Sequence, residues 1–165
     1  MSELRTNRIV PRDGLVSGAS GGVIQVVFFS LATGSTVTVN GTTLVDVLTA
    51  TITPTRSDSK ILVQVTSAPK TNGGSANFQF GAQIQRNSTT IMYDNEYLQM
   101  NNGYAPNAFT GAYTVLDSPA SSSSLTYKFR VKETVDGREL YFENSTDNTG
   151  NYYNKHTMTL MEISG

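Results

Sequence analysis

The stretch Leu125-Thr126-Tyr127-Lys128-Phe129-Arg130-Val131-Lys132 alternates apolar and polar residues at every step. Strict period-2 alternation marks a strand with one face buried and one wet. Leu125, Tyr127, Phe129 and Val131 are therefore expected in a core, with Thr126, Lys128, Arg130 and Lys132 on a solvated face. The run extends to Val135, meets Asp136-Gly137 and resumes from Arg138 to Asn144, which reads as a hairpin closed by a two-residue turn. Such a turn would set Val131 opposite Phe142 inside and Arg130 opposite Glu143 outside, the charged pair contributing about 0.2–1 kcal/mol.

Working outward, a second hairpin is expected at Ser35 to Val39, Asn40-Gly41 and Thr42 to Thr53, because Asn-Gly accepts the positive φ angles of a type I′ turn. Further strands are expected at Val23 to Leu31, Lys60 to Ser67, Asn77 to Arg86, Thr90 to Asp94, Phe109 to Leu116 and His156 to Ile163. Gly, Asn, Pro and Ser clusters interrupt the chain before a helical stripe can develop. About nine or ten short strands with turn signals between them predict an all-β fold, two packed antiparallel sheets in a jelly-roll-like sandwich.

The 165 residues suit one core. Only 15% are charged, against roughly 25% in an average soluble domain, and Ser, Thr, Asn and Gly fill the gap. A net charge of −1 with scattered Lys and Arg argues against tracking a phosphate backbone, so no nucleic-acid partner is expected. The chain has no cysteine, hence no disulfide framework. It opens without a signal-peptide core and contains no run near the roughly 20 apolar residues of a membrane helix, so neither Sec export nor membrane insertion is expected. The polar, Gly-rich segment 1–22 is read as an arm and hinge outside the core, and residues 23–165 as the head.

Several stretches carry a family resemblance. They are Leu4-Arg5-Thr6-Asn7-Arg8-Ile9-Val10-Pro11-Arg12-Asp13-Gly14, the step into Gly22-Val23-Ile24-Gln25-Val26-Val27, and Asp46 to Thr55 followed by Ser59-Lys60-Ile61-Leu62-Val63. Leu116-Asp117-Ser118-Pro119-Ala120, Thr126-Tyr127-Lys128 and Thr157-Met158-Thr159-Leu160-Met161-Glu162-Ile163 complete the set. With these the chain resembles the small tail-fibre-like or virion structural proteins of tailed bacteriophages that infect aquatic bacteria. The resemblance implies a particle component, assembled in the host cytoplasm and exposed on the virion, a homotrimer, and no enzymatic activity. Segment 71–111 departs most from the pattern and is where the specificity of this particle is expected.

Under that reading Leu4, Arg5, Arg8, Ile9, Val10 and Pro11 are the expected docking residues, apolar anchors and cations on a segment too polar to form its own core. Other virion proteins, of tail or capsid, would receive them. Tyr93, Tyr97, Asn102, Tyr104, Tyr152 and Tyr153 are the candidate contacts to a host glycan or protein, since Tyr offers a rigid face with a hydroxyl and Asn both a donor and an acceptor. A capsid decoration protein and a carbohydrate-binding module remain open as alternatives.

Catalytic readings are weak. Asp94 and Glu96 would share one face of a strand, but neither has the apolar setting that raises a glycosidase acid, so both are expected as solvated edge or loop residues. His156 is the one histidine; a surface or hydrogen-bonded role is expected, ahead of a symmetric site on a trimer axis. Gly18 to Gly22 lacks the lysine and helix of a phosphate loop and reads as linker. No metal or cofactor is expected. The sequons at Asn40, Asn87 and Asn144 follow from a composition rich in Asn and Thr.

Overall fold

The computed structural model describes residues 22–71, 78–100, 110–134, 139–146, 152–153 and 155–165. Thirteen strands run through them: β1 Val23–Ser30, β2 Thr36–Val39, β3 Val45–Ile52, β4 Lys60–Ser67, β5 Lys70–Thr71, β6 Phe78–Arg86 and β7 Thr89–Met100. They continue with β8 Gly111–Asp117, β9 Leu125–Glu133, β10 Leu140–Glu143, β11 Ser145–Thr146, β12 Tyr152–Tyr153 and β13 Thr157–Ile163.

The pairings are nested. β1 pairs with β13, β2 with β10, β3 with β9, β4 with β8 and β6 with β7, all antiparallel. The chain is thus one long double ribbon folded back at the β6–β7 turn. Rolling that ribbon up adds β13–β4 and β9–β6 contacts and produces two four-stranded sheets, β1-β13-β4-β8 and β3-β9-β6-β7. That wiring is the double Greek key of a jelly roll. A short sheet, β2-β10-β5, and the β11–β12 pair complete the described strands.

The core lies between the two four-stranded sheets. β9 alternates buried and half-buried along its length, with Leu125, Tyr127, Phe129 and Val131 inside as their periodicity predicts. Phe80, Tyr127, Phe129 and Phe142 are the largest fully buried aromatic residues, each contributing about 1.5–3 kcal/mol through burial. Phe142 packs edge-on against Phe129, ring centroids 6.4 Å apart, and against His156 at 5.3 Å.

Neither expected hairpin pairs with itself. β2 pairs with β10 and β3 with β9, so Asn40-Gly41 is a corner where the double ribbon leaves one sheet for another, and β9 and β10 lie in different sheets. A type I′ turn needs positive φ at both central residues. Only Gly41 has it, at +91°, so the Asn-Gly pair serves a bend instead. Val131 and Phe142 are both buried but in different sheets: Val131 faces Val45 and Ala82, and Phe142 faces Val37. Arg130 lies opposite Asp46 and Gln83, and Glu143 opposite Thr36, where it pairs with Lys70 at 2.5 Å. The Asp136-Gly137 turn falls outside the described residues.

The true hairpin is β6–β7, turned at Asn87 with φ +50°. The Asn87 side chain accepts a hydrogen bond from the Thr126 amide at 2.9 Å, tying the turn to β9. Polar groups also link β8, at the edge of one sheet, to β7, β6 and β9 of the other. Tyr113 donates to Asp94 Oδ2 at 2.5 Å, and Asp117 receives Arg86 at 2.6 Å and the buried Tyr127 hydroxyl at 2.7 Å.

Candidate recognition surface

The two outer faces of the sandwich differ in chemistry. On the β3-β9-β6-β7 sheet, Asp46, Arg130, Gln83 and Tyr93 fall opposite one another and form a row across all four strands. The next row is Thr49, Lys128, Gln85 and Thr90. Period-2 alternation points these groups outward because Leu48, Phe129, Ala82 and Ile84 between them are in the core, and Gln83 is itself buried beneath its neighbours, 8% exposed.

This face is cross-linked. Arg130 donates through Nε to Asp46 Oδ1 at 2.7 Å, through Nη1 to Gln83 and Gln85 at 3.2 and 3.3 Å, and through Nη2 to the Leu44 carbonyl at 3.3 Å. Lys128 meets the other Asp46 oxygen at 2.5 Å, and Gln83 donates to Thr90 at 2.8 Å. Partial burial pushes the Asp46 carboxyl up, but the hydrogen bonds and charges of Lys128 and Arg130 outweigh it and hold the group below the usual carboxylate range. A guanidinium engaged on every side is fixed in place, so the row is a preorganised polar platform.

Tyr93 stands at the β7 end of that platform. Its side chain is 45% exposed, its hydroxyl donates to Asn95 at 3.0 Å, and the Lys132 ammonium lies 5.6 Å from its ring centroid. Just beyond it β7 bulges. Phe80 pairs with Leu98 and Ala82 with Asp94, so Asn95, Glu96 and Tyr97 are opposed by Gly81 alone. A Cβ on Gly81 would sit 3.2 Å from the Asp94 carbonyl and 3.4 Å from the Asn95 Cα, so a residue without one allows the bulge to press this close. Bulges re-aim side chains and gather at functional rims.

Of the residues singled out in sequence, Tyr93 is on this face. Tyr97, Tyr152 and Tyr153 belong to β7 and β12, their side chains outside the described set, as are Asn102 and Tyr104. The docking residues Leu4, Arg5, Arg8, Ile9, Val10 and Pro11 also lie outside the described residues. Asp94 is not the solvated edge carboxylate expected: it is half-buried, follows inward-facing Ala82 in register, and receives the Tyr113 hydroxyl. His156 is fully buried and hydrogen-bonded on both ring nitrogens.

Lys132 lies on the solvated face that its alternation predicts, whereas Gln83, Gln85 and Asp46 are not singled out in the sequence as surface residues. The Gln83-Ile84-Gln85 alternation marks an outward pair, but only the register brings it beside Arg130. Chemically, the surface offers carboxamides, hydroxyls, an aromatic ring and three cations against one carboxylate, a set suited to hydrogen-bonding polyhydroxyl or anionic surfaces. No family model matches the chain, and no curated protein matches it.

Proposed function

We propose that this chain is a non-enzymatic virion structural protein, a tail-fibre-like component of a phage particle. Segment 1–22 docks it to other virion proteins, the head is a homotrimer, and the β3-β9-β6-β7 face meets a glycan or protein of the host surface. The observation that carries the reading is the division of labour between the outer faces, one a fixed polar platform ending in Tyr93 and the other exposing Val23, Ile24, Val26, Phe28 and Leu116. Adhesion from such a face works through number, because many weak sites on one particle bind with avidity far above that of a single site. The family resemblance supplies the particle, and the platform supplies the contact surface.

Two measurements test this. Removing residues 1–22 should abolish incorporation into particles while leaving the head folded; normal incorporation would sink the docking assignment. Purified Tyr93→Ala protein should bind host cells at least tenfold more weakly than the wild type at unchanged thermal stability. Equal binding would remove this face from adhesion.

A further inference from the structure

The opposite outer face, on the β1-β13-β4-β8 sheet, presents a row of a different kind. Val26 pairs with Met161, Met161 with Leu62 and Leu62 with Leu116, so four apolar side chains cross the whole sheet at one level. Phe28 is 65% exposed, Val26 55% and Leu116 54%, and Val23 and Ile24 extend the patch. Inward-facing Val27, Phe29, Tyr113 and Val115 pack on the core, so the outward residues are not misplaced core. Among the described residues of this face, Lys60 at one end is the charged side chain; the rows beyond are Phe28, Thr159, Gln64 and Thr114, then Ser30, Thr157, Thr66 and Ala112. Contiguous apolar surface of this extent marks an association site.

We infer that this face is where copies of the chain assemble, three sheets closing around a threefold axis parallel to their strands. The inference adds a surface to the trimer proposed above and rests on that oligomeric reading. Four strands at about 4.8 Å spacing make a face ~19 Å wide. Three such faces forming a triangular prism have their backbones ~5.5 Å from the axis, close to half of the roughly 10 Å at which packed sheets stand. Side chains therefore fill the prism without leaving a channel. With about seven residues per strand the face covers ~440 Å² in projection; each of the three contacts takes half a face from either copy, and the three faces together enclose ~1,300 Å².

Threefold closure also fits the edges. β1 and β8 are the outermost strands of the sheet, and in the prism each meets the other's counterpart on a neighbouring copy. The Val26-Met161-Leu62-Leu116 row becomes a closed apolar ring, in which Val26 of one copy meets Leu116 of the next. An acidic or lipid partner would need a cationic rim, which a face with Lys60 alone does not offer. The contact is heterologous and closes at three, leaving the polar face on the outside of each protomer.

The chain has no cysteine, which makes the test direct. Within one protomer Val26 and Leu116 are three strand spacings apart, ~14 Å, beyond the ~7 Å limit for a disulfide. The full-length double variant Val26→Cys/Leu116→Cys should therefore form covalent trimers on oxidation, seen on non-reducing gels. In light scattering, the wild type should have three times the chain mass, Leu62→Glu should be monomeric with its circular dichroism retained, and Tyr93→Ala should stay trimeric. A monomeric wild type at 100 μM would overturn the trimer itself. A wild-type trimer with no interchain disulfide and an unaffected Leu62→Glu would overturn this surface alone, and covalent dimers without trimers would overturn the threefold closure.

Discussion

Gly41 and Glu133 hold one another by two hydrogen bonds: the Glu133 amide donates to the Gly41 carbonyl at 2.9 Å, and the Gly41 amide donates to the Glu133 carboxylate at 3.0 Å. The pair sits where β3 and β9 give way to β2 and β10, so it fastens the corner at which the double ribbon changes sheets. Regular ladder bonds stop at such a corner, and the exchange satisfies backbone groups that would otherwise be stranded.

Glu133 is fully buried, so Glu133→Ala should cost about 1–3 kcal/mol by leaving the Gly41 amide without its acceptor. Glu133→Gln keeps a carbonyl oxygen there and should lose less. Urea unfolding of the two variants checks this; equal losses would mean that the charge, and not the accepted bond, matters.

Gly81→Ala should destabilise the head by about 1–3 kcal/mol, because two of the atoms its Cβ would meet are backbone atoms of the β7 bulge and cannot swing aside. The same strain should displace Tyr93 and Asn95. Reduced host-cell binding together with a lowered melting temperature is the expected result, and an unchanged melting temperature would mean the bulge yields freely.

Acid should loosen the β3–β4 connection through Glu162. Its carboxylate accepts Gln25 at 2.6 Å and both the amide and hydroxyl of Thr55 at 2.8 Å. Burial pushes its pKa up, but these bonds prevail and hold it at about 2, below the ordinary 4.5. The unfolded chain therefore takes up this proton first, so the contribution is whole above pH 4.5 and drains away as pH falls towards 2. In a pH series of melting curves, Glu162→Gln should be less stable at neutral pH by about 1.5–3 kcal/mol and show a flatter loss across that window.

His156 should add a second, higher step. The Ala68 amide can only donate, so Nδ1 of His156 accepts it at 3.3 Å, and the ring proton sits on Nε2, facing the Glu143 carbonyl at 3.2 Å. Burial lowers its pKa below 6.5, outweighing the Glu143 carbonyl and charge that favour the cation. Stability from the neutral ring is complete above 6.5 and declines as pH falls below it, since the unfolded chain protonates first. His156→Phe should remove the step below 6.5 from the stability profile; a profile unchanged there would reassign it.

Alternation alone placed Leu125, Tyr127, Phe129 and Val131 inside and Lys128 and Arg130 outside, and strands β1, β4, β6, β8, β9 and β13 fall close to where the sequence puts them. The reason is local: a strand's side chains take opposite faces in turn whatever lies next to it. The candidate site was half legible for the same reason. Tyr93 and the cations of β9 could be read as outward, yet Asp46 reaches Arg130 across 84 positions of chain, and nothing local announces that pairing.

Which strand lies beside which was decided by the tertiary fold. Asn40-Gly41 carries a positive φ that a hairpin and a corner can both use, and only the long-range pairing of β2 with β10 and β3 with β9 chooses the corner. Likewise, Val26-Val27-Phe28-Phe29 is apolar on both faces, so its sequence does not say which half is core. Packing against the second sheet half-buries Val27 and Phe29 and leaves Val26 and Phe28 outside, because two sheets enclose one interior and each strand turns a single face to it.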